Sequence, residues 1–117
     1  SYGRKNLTTD EQFLQVGVKR TKAEEFFKPH KHLLCDKRVS ITQEAWVILN
    51  GKAEGHFYDL NDEYLCSVEL ESGDCVIIYK GGHSLKILED ETCLYEFKNG
   101  PYQGAEKDKE FIRGKDV

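Results

Sequence analysis

His30 and His32 flank Lys31 in the run KPHKH, and Glu44 and His83 stand further along the chain. In an extended strand, residues i and i+2 point to one face, so the two imidazoles are expected to project side by side. Each can offer a neutral nitrogen to a metal ion. Glu44 opens the strand-like run EAWVIL, and His83 closes the run GDCVIIYKGGH. A small barrel could bring these three imidazoles and one carboxylate together. Such donors suit one divalent transition metal from the group Zn, Fe, Mn, Ni and Co. The set would leave open positions on the ion, where water, oxygen or substrate could be polarised. The expected ligands are therefore His30, His32, Glu44 and His83. Gln43 would face away from Glu44 on the same strand, and His56 lies in a strand outside both runs, so neither is expected to bind the metal.

The elements that must position these residues are short and rich in β-formers. Strands are expected over Phe13–Arg20, Ala23–Phe27, Glu44–Leu49, Ala53–Tyr58, Tyr64–Leu70, Cys75–Tyr79, Ser84–Leu88 and Cys93–Lys98. Their regular spacing, with few helix-length patterns, argues for an antiparallel sandwich or barrel. Thr21–Lys28 could form a helical turn, but Pro29 biases Lys28 toward extended backbone. Asn50-Gly51 is a hairpin signal between two strand-like runs. Ser72-Gly73-Asp74 and Gly81-Gly82 mark further turns, and none of these glycines precedes a helix signal that would suggest a phosphate cradle. The tail after Gly100 is polar and is expected to pack over the surface or fray. Within Glu44–Leu49, Trp46 and Ile48 share the face of Glu44, while Ala45, Val47 and Leu49 take the other. A strand apolar on both faces is covered on both sides. The cover could be a second sheet or a partner subunit, which makes a homodimer an expectation.

The 117 residues suit a single domain, with a core over about 13–111 and polar extensions. Hydrophobic residues at 38% and aromatics at 11% fit a globular chain. A net charge of −4 leaves no basic stripe for nucleic acid. No apolar run approaches the roughly 20 residues that span a bilayer. The opening SYGRKNLTTDEQ has no signal-peptide core, so a cytoplasmic location is expected. Cys35, Cys66, Cys75 and Cys93 show no CxxC spacing. Cys66, Cys75 and Cys93 lie in apolar stretches and are expected as buried free thiols.

The order of HxH at His30–His32, then Glu44 with six residues before Gly51, then Gly73 through Gly82 to His83, resembles the two motifs of the cupin superfamily. The similarity runs from about Phe13 to Phe111. Two departures stand out. Eleven residues separate His32 from Glu44, more than is usual in that family. The run Tyr79-Lys80-Gly81-Gly82-His83 is one residue shorter than the common second motif and lacks its proline. KPHKH, QEAWVILNGK, YDLND, GGH and YEFKNGPYQGAEKDKEFI further resemble a group of small bacterial cupins associated with cell-surface sugar and nucleotide-sugar biosynthesis. The resemblance implies an all-β fold, the antiparallel double-stranded β-helix or jelly-roll barrel. It implies a metal-dependent isomerase or epimerase acting on a sugar-like small molecule, with the ion holding adjacent substrate oxygens.

Tyr79, Lys86 and Glu96 are candidates for moving the proton, since burial or a neighbouring charge can tune each. Arg38, with Lys37 beside it, could clamp an anionic substrate group. Trp46 and Tyr102 could wall the substrate pocket. Two other functions fit the same residues. One is Fe(II)-dependent oxygen insertion, although the further residues usual in thiol dioxygenases are not evident. The other is a non-catalytic module that binds or senses a sugar.

Overall fold

The computed structural model describes residues 1–112. It is all-β apart from one short helix, and it divides into two compact units, Ser1–Ser40 and Ile41–Val117. Contacts within the chain part at Ser40–Ile41.

The first unit holds one antiparallel pair, β1 (Gly3–Asn6) and β2 (Gly17–Arg20). The loop between them closes on itself. Thr8 Oγ1 accepts from the Val16 amide at 3.0 Å, and Gln15 Nε2 donates to the carbonyl oxygens of Thr9 and Gln12 at 2.9 and 2.7 Å. The strand expected over Phe13–Arg20 is thus cut to its last four residues, because Gln15 and its neighbours serve the loop. Ala23–Phe27 is not a strand. Ala23 and Glu24 form a turn, with Glu24 at φ 74°, which takes the chain out of extended backbone. No strand occurs between Arg20 and Glu44, so His30 and His32 lie in irregular backbone rather than on a strand face. That stretch has no neighbouring strand to complete a ladder, and a lone extended segment gains nothing from its β-formers.

The second unit follows the sequence pattern closely. Its strands are β3 (Glu44–Asn50), β4 (Lys52–Tyr58), β5 (Tyr64–Glu71), β6 (Cys75–Ile78), β7 (Gly82–Ile87) and β8 (Cys93–Lys98). They form two three-stranded antiparallel sheets, ordered β6-β3-β8 and β5-β4-β7. The polar tail contains one helical turn, α1 (Ala105–Asp108). Cross-strand partners share a sheet face, so the registers assign every side chain. Trp46, Ile48, Val76, Ile78 and Leu94 point inward from one sheet, and Phe57, Leu70 and Leu85 from the other, making one apolar cluster. Removing such area from water is what holds the two sheets together.

Asn50-Gly51 does not close a hairpin. β3 and β4 belong to different sheets, and the dipeptide is the corner by which the chain crosses between them. Gly51 stands at φ 92°, and a Cβ there would run into Thr92. Thr92 Oγ1 holds the corner by accepting from the Lys52 amide at 3.2 Å while donating to the Glu89 carbonyl at 2.7 Å. The corner is therefore set by a residue 40 positions away in sequence, a signal no local pattern contains. The local hairpin is β4–β5, where Asp59 Oδ1 accepts from the amides of Asn61 and Glu63 at 2.8 and 3.0 Å.

The thiols are free, as expected, but all four cysteines are exposed rather than buried. Cys75 and Cys93 fall on the outer parity of β6 and β8, and Cys66 lies on the edge strand β5. Their apolar neighbours Val76 and Leu94 take the core face, and the alternation of the strand turns Cys75 and Cys93 the other way. The cover of β3 is likewise uneven: Ala45 is 2% exposed, whereas Leu49 on the same face is 41% exposed.

Candidate active site

Glu44 is the first residue of β3, and its partner across β8 is Lys98. Two residues on, Trp46 faces Glu96, so Glu44, Glu96 and Lys98 lie on the inner face of the sheet. His83 arrives from the other sheet. It pairs with Phe57 across β4, and that parity also turns inward. Gly81 and Gly82 make its approach possible. Gly81 has φ 99°, and a Cβ on it would stand 2.6 Å from the Tyr58 carbonyl oxygen; a Cβ on Gly82 would stand 3.1 Å from Tyr58 Cβ. Side chains at either position would push β7 off the end of β4.

The result is a contact between the sheets: His83 Nε2 lies 2.6 Å from Glu44 Oε2. Glu44 is nearly buried and His83 is about one-third exposed. Trp46 backs the imidazole edge-on, with ring centroids 5.5 Å apart. Burial pushes the Glu44 carboxyl up, but hydrogen bonds to His83 and Glu96 and the charges of His83 and Lys98 outweigh it and hold the group at about 2. The carboxyl of Glu96 moves the other way. Its hydrogen bond to Glu44 raises it first, with burial and the Glu44 charge adding to the effect. Two carboxyl groups sharing one site cannot both ionise easily. Glu44 is the ionised member and Glu96 the one that keeps its proton longer.

These groups line a cavity of about 600 Å³, with Tyr58, Lys80 and Lys98 among its other walls. Lys98 Nζ reaches Asp108 Oδ2 at 3.3 Å, and Thr42 Oγ1 donates to Asp108 Oδ1 at 3.2 Å, so α1 is tied to the rim.

Of the expected metal ligands, Glu44 and His83 come together. His30 and His32 belong to the first unit, where their rings lie edge to face, 5.6 Å apart, and His30 Nδ1 is 2.9 Å from the Lys28 carbonyl oxygen. Among the described residues, no three His, Cys, Asp or Glu side chains gather as a group able to hold a metal ion. Glu44 and His83 stand as an ion-pair contact in the wall of the cavity.

Glu96 is the proton-transfer candidate that the fold brings to the site. Tyr79 follows β6 and is not among the cavity-lining residues, and Lys86 stands opposite Glu54 on the outer face of its sheet. Trp46 lies behind His83 in the core cluster, and Tyr102 sits under the Lys98 ammonium at 5.0 Å. Neither Trp46 nor Tyr102 lines the cavity. Arg38 and Lys37 belong to the first unit. Lys98, Tyr58 and Asp108 escaped the sequence reading. Lys98 was within reach of it: the strand Cys93–Lys98 puts residues 96 and 98 on one face, and the register against Glu44 was the missing information.

His56 is indeed away from the cavity. Its Nδ1 is 2.9 Å from Ser67 Oγ, which also contacts the Tyr64 hydroxyl at 2.6 Å. Its buried Nε2 lies 2.9 Å from Glu54 Oε1 without hydrogen-bond geometry.

No helix among the described residues is long and apolar enough to cross a membrane. Comparison with models of protein families, with curated proteins and with solved structures finds no match for this chain.

Proposed function

We propose that the chain is a small-molecule enzyme of the isomerase or epimerase type, moving a proton beside a carbonyl group on a sugar or nucleotide-sugar derivative. The observation that carries this reading is the 2.6 Å Glu44–His83 contact in the wall of a cavity that also holds Glu96. Glu44 accepts from Nε2–H, which fixes the tautomer and leaves Nδ1 with its lone pair. Nδ1 takes the proton from the carbon next to the carbonyl. Glu96, in its acid form, gives its proton to the carbonyl oxygen, and an enediol results. Return of the first proton to the neighbouring carbon, with Glu96 recovering its own from a hydroxyl, completes the isomerisation. Epimerisation follows when the enediol turns its other face to His83 before the proton returns to the original carbon. Glu44 stabilises the imidazolium in between.

The finer fold reading, a cupin-type double-stranded β-helix, is supported by the chain path. The connections β3–β4, β5–β6, β6–β7 and β7–β8 all cross from one sheet to the other. Four free cysteines favour a reducing compartment, and the activity is proposed for the cytoplasm.

A metal-assisted version is favoured by the convergence of two of the four expected donors, Glu44 and His83. A divalent ion there would supply polarisation of substrate oxygens.

The test is a panel of keto and aldo sugars and their nucleotide conjugates incubated in D2O, with deuterium uptake beside the carbonyl followed by NMR. Uptake lost in His83→Gln supports the reading. Metal analysis of protein purified without chelator separates the metal-assisted version. Oxygen consumption by iron-loaded protein would point to oxygen insertion, and ligand binding without exchange to a binding module.

A further inference from the structure

The carboxylate of Asp108 sits where a ligand would sit. Its Oδ1 accepts from Thr42 Oγ1 at 3.2 Å and its Oδ2 from Lys98 Nζ at 3.3 Å, and all three residues line the cavity that holds Glu44 and Glu96. The Asp108 side chain is 13% exposed, so it fills a place in the wall rather than extending into solvent. The two donors stand on a fixed frame. Asn99 Oδ1 accepts from the Gln43 amide at 2.7 Å, and Asn99 Nδ2 donates to the Ile41 carbonyl at 3.2 Å. The Asn99 amide donates to the Gln43 carbonyl at 3.4 Å. These bonds clamp the segment carrying Thr42 to the end of β8, where Lys98 is the last strand residue. Asp108 comes instead on the tail after Gly100, whose described residues hold one helical turn, α1. The amides of Lys107 and Asp108 donate to the Gly104 carbonyl, so that turn closes on itself rather than on a strand. A single turn of helix has no stability of its own. A preorganised pair of donors is thus occupied by an acceptor on a weakly held segment.

We propose that Thr42 and Lys98 form a subsite for the carboxylate of a sugar acid, in the cavity read above as the substrate site, and that Asp108 is a built-in stand-in that the substrate displaces. A carboxylate already satisfies both donors, one oxygen on each. An ammonium and a hydroxyl supply one positive charge, which matches one carboxylate. A phosphate group carries about −1.5 to −2 at neutral pH, and its surplus charge would face Glu44, the cross-strand partner of Lys98. A neutral sugar offers no charge to replace the one that Asp108 takes away. Displacement exchanges one charge-assisted contact for another and releases Asp108 to water. Lys109, Glu110, Phe111 and Ile112 line the same cavity and lose the Asp108 anchor with it, so binding opens the wall. While Asp108 is seated, apparent affinity is reduced to the fraction of molecules in which the subsite is free. Specificity for an acidic sugar and the gate of the cavity are then one contact.

The experiment is titration calorimetry of the full chain with D-glucuronate, glucose and glucose 6-phosphate, combined with amide hydrogen exchange of residues 105–112. Glucuronate is expected to bind ~10-fold or more tightly than either other sugar. Asp108→Ala should tighten glucuronate binding about tenfold by freeing the subsite. Glu106→Gln removes a negative charge from the same helical turn without touching the donors, and should change the affinity by no more than about twofold. Lys98→Met in the Asp108→Ala background should lose the whole gain. Saturating glucuronate should speed exchange across 105–112 in the wild type about threefold or more, and Asp108→Ala should show that speed without ligand. The wild-type comparisons need no variant to fold. Glu106→Gln matching Asp108→Ala would make the effect one of charge alone and overturn the proposal. So would Asp108→Ala that fails to bind glucuronate, glucuronate that slows exchange of the tail, or glucose 6-phosphate that binds as tightly as glucuronate. Neither readout needs turnover. Glucuronate that binds as expected without deuterium uptake beside a carbonyl upholds the subsite and sinks the isomerase reading alone.

Discussion

Glu44–His83 and Glu54–His56 are the same chemical pair on opposite faces of one structure. Glu44 and His83 come from different sheets and meet at 2.6 Å on a cavity wall. Glu54 and His56 are two residues apart on β4, on the outer face of the β5-β4-β7 sheet, at 2.9 Å without hydrogen-bond geometry. The first pair has a second carboxyl group, Glu96, sharing its site, whereas the second has the hydroxyl of Ser67. What separates the two couples is therefore not residue type, nor burial. It is which elements deliver the side chains and whether space for a reactant lies beside them.

The comparison can be broken first at its support. Trp46→Ala removes the ring behind His83 and the centre of the core cluster. It should cost about 3–5 kcal/mol of stability in urea unfolding. A loss under 1 kcal/mol would mean that the two sheets do not depend on this core.

Glu44→Gln comes next, at about 2 kcal/mol, because it removes the charge from a 2.6 Å ion pair at a nearly buried carboxylate. It also carries a pH signature. The folded chain holds Glu44 at about 2 against an ordinary 4.5, so on acidification the unfolded chain takes up this proton first. The contribution is complete above about 4.5 and disappears as pH falls toward 2. Stability of the wild type should drop more steeply over that window than stability of Glu44→Gln. Parallel curves would show that the pair is not formed.

Ser67→Ala should cost about 1 kcal/mol, the worth of an ordinary hydrogen bond, by removing the partner of His56 Nδ1. Glu54→Gln should change stability by less than about 0.5 kcal/mol, since its carboxyl is one-third exposed and shares its site with no second carboxyl group. If Glu54→Gln matched Glu44→Gln in both respects, the distinction between the pairs would fail.

The strands from Glu44 onward were legible because alternation and turn residues repeat there. Cys93–Lys98 matches residue for residue, and the others shift by one or two residues at one end or, for β7, at both. Ala23–Phe27 was misread because β-formers without a neighbouring strand do not make one. Asn50-Gly51 was read as a turn correctly and as a hairpin wrongly: the dipeptide reports backbone conformation, while Thr92 decides where the chain goes. The Glu44–His83 contact was half legible. Residue types nominated both groups, but Glu96 and Lys98 joined them through a register that only pairing of β3 with β8 provides.

The most direct test of the central claim is deuterium exchange beside the carbonyl of a turned-over sugar, compared between wild type, His83→Gln and Glu54→Gln. The account predicts exchange in the wild type, a loss of at least ~100-fold in His83→Gln, and no more than a twofold change in Glu54→Gln. Equal exchange in wild type and His83→Gln, or a loss in Glu54→Gln as large as that in His83→Gln, would contradict it.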